Sequence, residues 1–252
     1  MEQRKPRERV AHSPVRAACD ALFGERIPPT VCLILSAFVF SAASGLLLGV
    51  VASRRPASPL DFAISACCLV LHSIPVFWLG QLLLWGMAFG LDLFPAQGIV
   101  SVRHDLSGLP YFFDLLHHLT LPALTLGLHH VALTAHVTRA SMIELLGEEF
   151  IRTARAKSIH ESLVLSKHAL KNALIPVVNV VVTQIAVLFA GAVLTETVFG
   201  WPGLGRLLFD AALIRDYPLL LGIFLLMTLG VIVANLLADL VCARLDPRVK
   251  YQ

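Results

Sequence analysis

Five long stretches without Asp, Glu, Lys or Arg, set around one charged loop at 139–171, limit what this chain can fold into. The uncharged stretches are 31–53, 62–91, 115–138, 172–195 and 217–238. A hydrocarbon core of about 30 Å needs roughly 20 apolar helical residues to cross it, so each stretch is long enough. The expected fold class is therefore all-α and polytopic, with five transmembrane helices at about 31–53, 62–90, 115–138, 173–196 and 217–241. Residues 1–28 read as an N-terminal tail, 29–245 as the membrane domain and 246–252 as a cytoplasmic tail. With 57% hydrophobic and 15% charged residues, the chain has too much apolar surface for a water-soluble domain to cover. Its net charge of +3 gives no reason to expect a nucleic-acid partner. The five cysteines form no metal-type CxxC pair and read as small packing residues.

Positive charge orients the spans. The connections after the first, third and fifth spans hold eleven Lys and Arg residues, and the other two hold Arg103, Arg206 and Arg215. The richer connections are cytoplasmic by the positive-inside rule. Five spans then put the N-terminus outside, although the tail carries Arg4, Lys5, Arg7, Arg9, Arg16 and Arg26. Either the loop charges outvote the tail, or a further helix upstream of the tail is missing from this reading frame, and the second is expected.

Pro75 lies near the middle of the long second stretch and predicts a kink or break, because proline removes a backbone donor and clashes with the preceding turn. The loop at 139–171 interleaves Glu144, Glu148, Glu149, Arg152, Arg155 and Lys157 with Ile143, Leu146, Phe150, Ile151 and Ala154. That pattern predicts a helix at the membrane surface or against a soluble partner. Ser162 is a candidate start for a second short helix running into Pro176. In the third span His118, Thr125, His129 and His136 return to one azimuth at 100° per residue, forming a polar ladder. His118 and His129 would be about 16 Å apart, too far to share one metal ion. The ladder lines a wet path, passes a transition metal along its length, or makes hydrogen bonds between helices. His117 and His130 lie off the stripe and receive no role.

The run 149–158, Glu-Phe-Ile-Arg-Thr-Ala-Arg-Ala-Lys-Ser, followed by 168–176, His-Ala-Leu-Lys-Asn-Ala-Leu-Ile-Pro, resembles the cytoplasmic EAA loop of binding-protein-dependent ABC importer permeases. The variant is similar to the B-type permease of the dipeptide, oligopeptide and nickel branch. Ser73-Ile74-Pro75-Val76-Phe77-Trp78-Leu79-Gly80, Glu196-Thr197-Val198-Phe199, Trp201-Pro202-Gly203-Leu204-Gly205 and Leu245-Asp246-Pro247-Arg248 extend the match in family order. Ser158 stands where the family usually has glycine. Such permeases usually begin with a further membrane helix and a larger external segment.

The resemblance implies a type I ABC importer permease in the bacterial inner membrane. It implies as partners a second permease subunit, two ATP-binding subunits and an extracytoplasmic solute-binding protein, with peptide as cargo and nickel or another transition metal as the alternative. The ATPase-coupling residues would be Glu149, Arg152, Thr153, Ala154, Arg155, Lys157, Ser158 and Pro176, with Arg152 and Arg155 pairing with ATPase carboxylates. Trp201, Pro202, Gly203 and Gly205 would form an external re-entrant elbow, where the plain alternative is a tight turn. Glu196 would help form a gate or a binding-protein contact, or simply end a helix.

No cofactor is expected on this chain. None of its five lysines follows a glycine, so it has no phosphate-gripping Gly-x4-Gly-Lys loop, and ATP and Mg are expected on partner subunits. Two other readings are an intramembrane metalloenzyme, for which the His-Glu-x-x-His signature is absent, and an inactive truncated paralogue.

Overall fold

The computed structural model of the chain describes residues 12–101, 108–157, 160 and 163–245. Among them all regular structure is helical: α1 (His12–Ser53), α2 (Pro59–Ser73), α3 (Val76–Leu83), α4 (Leu109–Leu146), α5 (Glu149–Ala156), α6 (Leu170–Val198), α7 (Leu204–Leu213) and α8 (Tyr217–Leu245). One π-helical stretch, Leu84–Gly90, continues α3, and another, Val164–Ala169, leads into α6.

Three segments are long and apolar enough to cross a membrane by length and composition: Leu22–Ser53, Leu170–Val198 and Tyr217–Arg244. The second expected span is not a single rod. Its halves, Pro59–Ser73 and Val76–Gly90, meet at 104°, and the break falls at Ile74 and Pro75 as the proline predicts. α4 has 38 residues, about 57 Å of continuous helix, but its histidines and threonines lower its hydropathy. Continuous apolarity therefore understates this element, whose polar side chains are largely buried against its neighbours.

The first helix also begins earlier than residue 29 or 31. It is already helical at His12 and runs through Pro28 and Pro29. The prolines cannot return hydrogen bonds to the carbonyls of residues 24 and 25. The helix survives there because tertiary contacts hold it, as the Pro29 carbonyl accepts a bond from Trp201.

α1 and α4 form the central pair, and their close approach follows from small residues. Without water to expel, membrane helices associate largely through packing, and glycine lets backbones meet. Gly45 and Gly49, one turn apart on α1, face α4. A Cβ on residue 45 would lie 2.5 Å from the Thr134 Cβ, and one on residue 49 would lie 2.6 Å from the Ala135 carbonyl oxygen. Gly127 of α4 returns the arrangement against Phe40 and Ala37 of α1. α6 packs on the other side of α4, where Gln184 Nε2 donates to Thr134 Oγ1 at 3.1 Å. One core cluster gathers Leu33, Ile34, Leu126, Leu188 and Trp201 from α1, α4, α6 and the turn after α6.

Candidate functional site

Three polar regions lie along this scaffold, one at the cytoplasmic end, one at mid-depth and one outside. At the cytoplasmic end, α4 terminates at Gly147 and the chain turns at once into α5, with the Glu148 N–H donating to the Leu145 carbonyl. Glu149 in the first turn and Arg155 in the last are placed as the helix dipole favours. Ile151 anchors α5. Ile151 is fully buried among Met142 of α4, Val164 and Ala169 of the π-helical stretch and Ala173 of α6, with Val50 of α1 alongside. Glu149, Arg152, Thr153, Arg155 and Lys157 are all exposed on the remaining surface.

Phe150 turns into an adjacent cleft lined by Ser141, Glu144, Asn172 and Pro176. Pro176 does not end a helix as expected, since α6 runs through it. Ala154 lies within α5, and Ser158 falls outside the described residues, as does the closing Asp246-Pro247-Arg248.

At mid-depth the histidine ladder divides. His118 belongs to the outer end: its Nδ1 donates to the Asp114 carbonyl at 2.9 Å. Thr125 is buried and bonds back to the Leu121 carbonyl. His129 instead stacks on His72 of α2, with ring centroids 4.8 Å apart, and His72 Nδ1 donates to the His129 carbonyl at 3.0 Å. His130 meets His129 edge-on at 5.4 Å. Sequence periodicity named the shared face of α4 but not its neighbours, so it missed His72 and left His130 without a role. His118 and His129 thus have separate partners. Among the described residues no three His, Cys, Asp or Glu groups are placed to hold a metal ion.

His136 is exposed and lines a cavity of 310 Å³ between α1, α2 and α4, together with Gly49, Ser65, Cys68, His72 and Arg139. Just below, Arg139 of α4 forms a two-pronged pair with Asp61 of α2, Nε to Oδ1 at 2.5 Å and Nη2 to Oδ2 at 2.7 Å. The partners are 78 residues apart, and nothing in either local sequence announces the pair.

Outside, Glu196 stands in the last turn of α6. It is fully buried, accepting from Thr30 Oγ1 at 2.7 Å and from the Arg206 N–H at 3.0 Å. Thr30 Oγ1 in turn accepts the Leu204 N–H at 2.7 Å. The elbow is anchored to its neighbours. Trp201 is completely buried and donates Nε1–H to the Pro29 carbonyl at 2.9 Å, while Arg206 Nη1 donates to the Gly200 carbonyl at 2.6 Å. Gly203 and Gly205 both lie against the Glu196 carboxylate, and Pro202 completes the turn. Glu196 is thus the centre of a knot tying α1, α6 and α7.

Asp114, just ahead of the uncharged stretch at 115–138, fastens the outer loop by accepting the Ser101 N–H at 2.6 Å and the Ser101 hydroxyl at 2.8 Å. The Ser101 N–H, more than any other contact, holds this carboxyl below the usual aspartate range.

Comparison with known proteins places these features in a wider group. Residues 45–251 match the family described as binding-protein-dependent transport system inner membrane component. The chain is 38% identical over 247 residues to the dipeptide transport system permease protein DppB of Escherichia coli K12, covering 91% of this chain and 73% of that one. It is 36% identical over 226 residues to the oligopeptide transport system permease protein AppB of Bacillus subtilis, covering 90% and 70%. Among solved structures, the inward-facing MetNI methionine ABC transporter superposes with a TM-score of 0.72 at 16% identity, over 91% of this chain and 98% of that chain, a likeness of fold.

Proposed function

Since the chain belongs to the family of binding-protein-dependent transport system inner membrane components, we propose that it forms half of the translocation path of an ATP-driven importer whose cargo is a short peptide. It is a transport component and not an enzyme, and it resides in the inner membrane. The other half of the path is a second permease subunit. Two ATP-binding subunits carry ATP and Mg in the cytoplasm, and a solute-binding protein delivers cargo from outside. Peptide is the cargo favoured by the names of the relatives, which are dipeptide and oligopeptide permeases.

The observation that carries this reading is the attachment of α5. The buried Ile151 side chain seats the helix against residues of α1, α4 and α6, and Glu149, Arg152 and Lys157 stand exposed on its charged face. A force on that face reaches α4 directly, because α4 and α5 are separated by one short turn. Glu149, Thr153 and Ala154 lie on α5, Ser158 just beyond it, and Arg152 and Arg155 supply positive charge for carboxylates of the ATPase.

Charge reversal tests this assignment. Glu149→Lys or Arg152→Glu should abolish uptake of a labelled dipeptide and release the ATP-binding subunits from the purified complex. Undiminished uptake with the ATPases still bound would reject the assignment.

A further inference from the structure

We infer that the cavity between α1, α2 and α4 is the last station of the transport path, where Arg139 binds the terminal carboxylate of a departing peptide in exchange for Asp61; this rests on the permease reading above. The cavity of 310 Å³ is at the lower end of the size range of small-molecule sites, which begins at about 300 Å³. It extends from His72 at mid-depth to Arg139 near the cytoplasmic end of α4, the side from which imported cargo leaves.

Three observations carry the inference. First, a mostly apolar wall carries a few polar groups that face the cavity. His72 and His136 are exposed in the isolated chain, and Arg139 is beside them. Lipid tails do not tolerate such a face, so water or another subunit meets it. Second, Arg139 presents the planar two-donor fork that matches a carboxylate, and Asp61 already occupies that fork with both oxygens.

Third, the two partners are not equivalent. The Arg139 side chain is 28% exposed and the Asp61 side chain 4%, so the guanidinium is the member reachable from the cavity. Asp61 keeps another donor if Arg139 turns away, because its Oδ2 accepts the Ala57 N–H at 2.9 Å. It also lies in the first turn of α2, where the helix dipole favours a negative charge. A buried carboxylate with its own donor is left less exposed to the penalty of an unpaired charge. Arg139 therefore exchanges one carboxylate for another, and the carboxylate of a peptide would unlatch α2 from α4 as it arrives.

Cys68 lines the same cavity and serves as the reporter. The complete transporter would be placed in nanodiscs with Cys19, Cys32, Cys67 and Cys242 replaced by serine, and alkylation of Cys68 by a maleimide followed by mass spectrometry. Dialanine should slow the alkylation, and dialanine amide, which lacks the carboxylate, should not. Arg139→Gln should abolish protection. Asp61→Asn should strengthen it, with half-protection at about tenfold lower dialanine concentration, since the competing charge is gone.

Equal protection by the acid and the amide, protection surviving in Arg139→Gln, or no protection in either the parent or Asp61→Asn would overturn the inference. If Arg139→Gln fails to assemble, the amide comparison and Asp61→Asn decide. ATP-driven dialanine uptake by the same complexes separates the two levels. Uptake without Cys68 protection removes this station alone, whereas failure to transport any short peptide removes the reading beneath it.

Discussion

The carboxylate of Glu196 fills the space that a β-carbon on residue 203 would occupy, so the missing side chain of Gly203 is what admits the buried acid. Gly203→Ala should therefore expel Glu196 from its bonds to Thr30 and Arg206 and lower stability by about 1–3 kcal/mol, the usual cost of overpacking. The thermal unfolding midpoint of the purified chain in detergent measures this. Glu196→Gln, which keeps the shape and the acceptor for Thr30, should cost less than the glycine substitution.

The seam between α1 and α4 makes a second prediction. Gly49→Val adds bulk where a Cβ would already lie 2.5 Å from that of Thr138, so the helices must separate or the chain must fail to fold. Gly24→Ala on the same helix has open space around it and should be neutral or stabilising by up to about 1 kcal/mol. Comparing the two by thermal unfolding isolates the effect of the seam from that of helix propensity.

Ile151 should matter for coupling more than for folding of the membrane helices. Ile151→Ala removes about 2–5 kcal/mol of local packing and leaves α5 loosely held. ATP hydrolysis by the assembled transporter should then persist while peptide uptake falls, and simultaneous measurement of both rates would reveal the split.

The link between Asp114 and Ser101 should be acid-sensitive. The folded-state pKa of Asp114 is lowered, so its contribution is fully present above the ordinary aspartate value of about 3.9 and is lost as pH falls through the lower folded value. Hydrogen exchange at the Ser101 amide should show protection near neutrality that disappears in that acid window. Asp114→Asn should make the protection independent of pH there.

The elements of the fold were largely written in local patterns. Uncharged length marked the membrane segments, Pro75 marked the break between α2 and α3, and the alternation of charge and apolarity around Ile151 marked α5. What escaped the sequence depends on distant partners. His129 shares an azimuth with His118, yet its ring stacks on His72, 57 residues earlier in the chain. Asp61 and Arg139 flank two different uncharged stretches and read separately as loop charges. Glu196 does close a helix, as read, but its burial escaped notice because Thr30 and the glycines that enclose it declare themselves only when the chain closes around them.

The broken second crossing has one more consequence. α2 has 15 residues, about 22 Å of helix, which is less than the thickness of the hydrocarbon layer. Its end at Ile74, where the cap N–H still bonds to the Val70 carbonyl, must therefore sit at depth, where any peptide group that the break leaves unpaired has to be sheltered by protein or by water. A joint in such a place can change its angle without tearing a continuous spiral of hydrogen bonds, while the interlocked rods beside it keep their shape. The break at Ile74 and Pro75 is therefore a place within the bilayer where this subunit can bend.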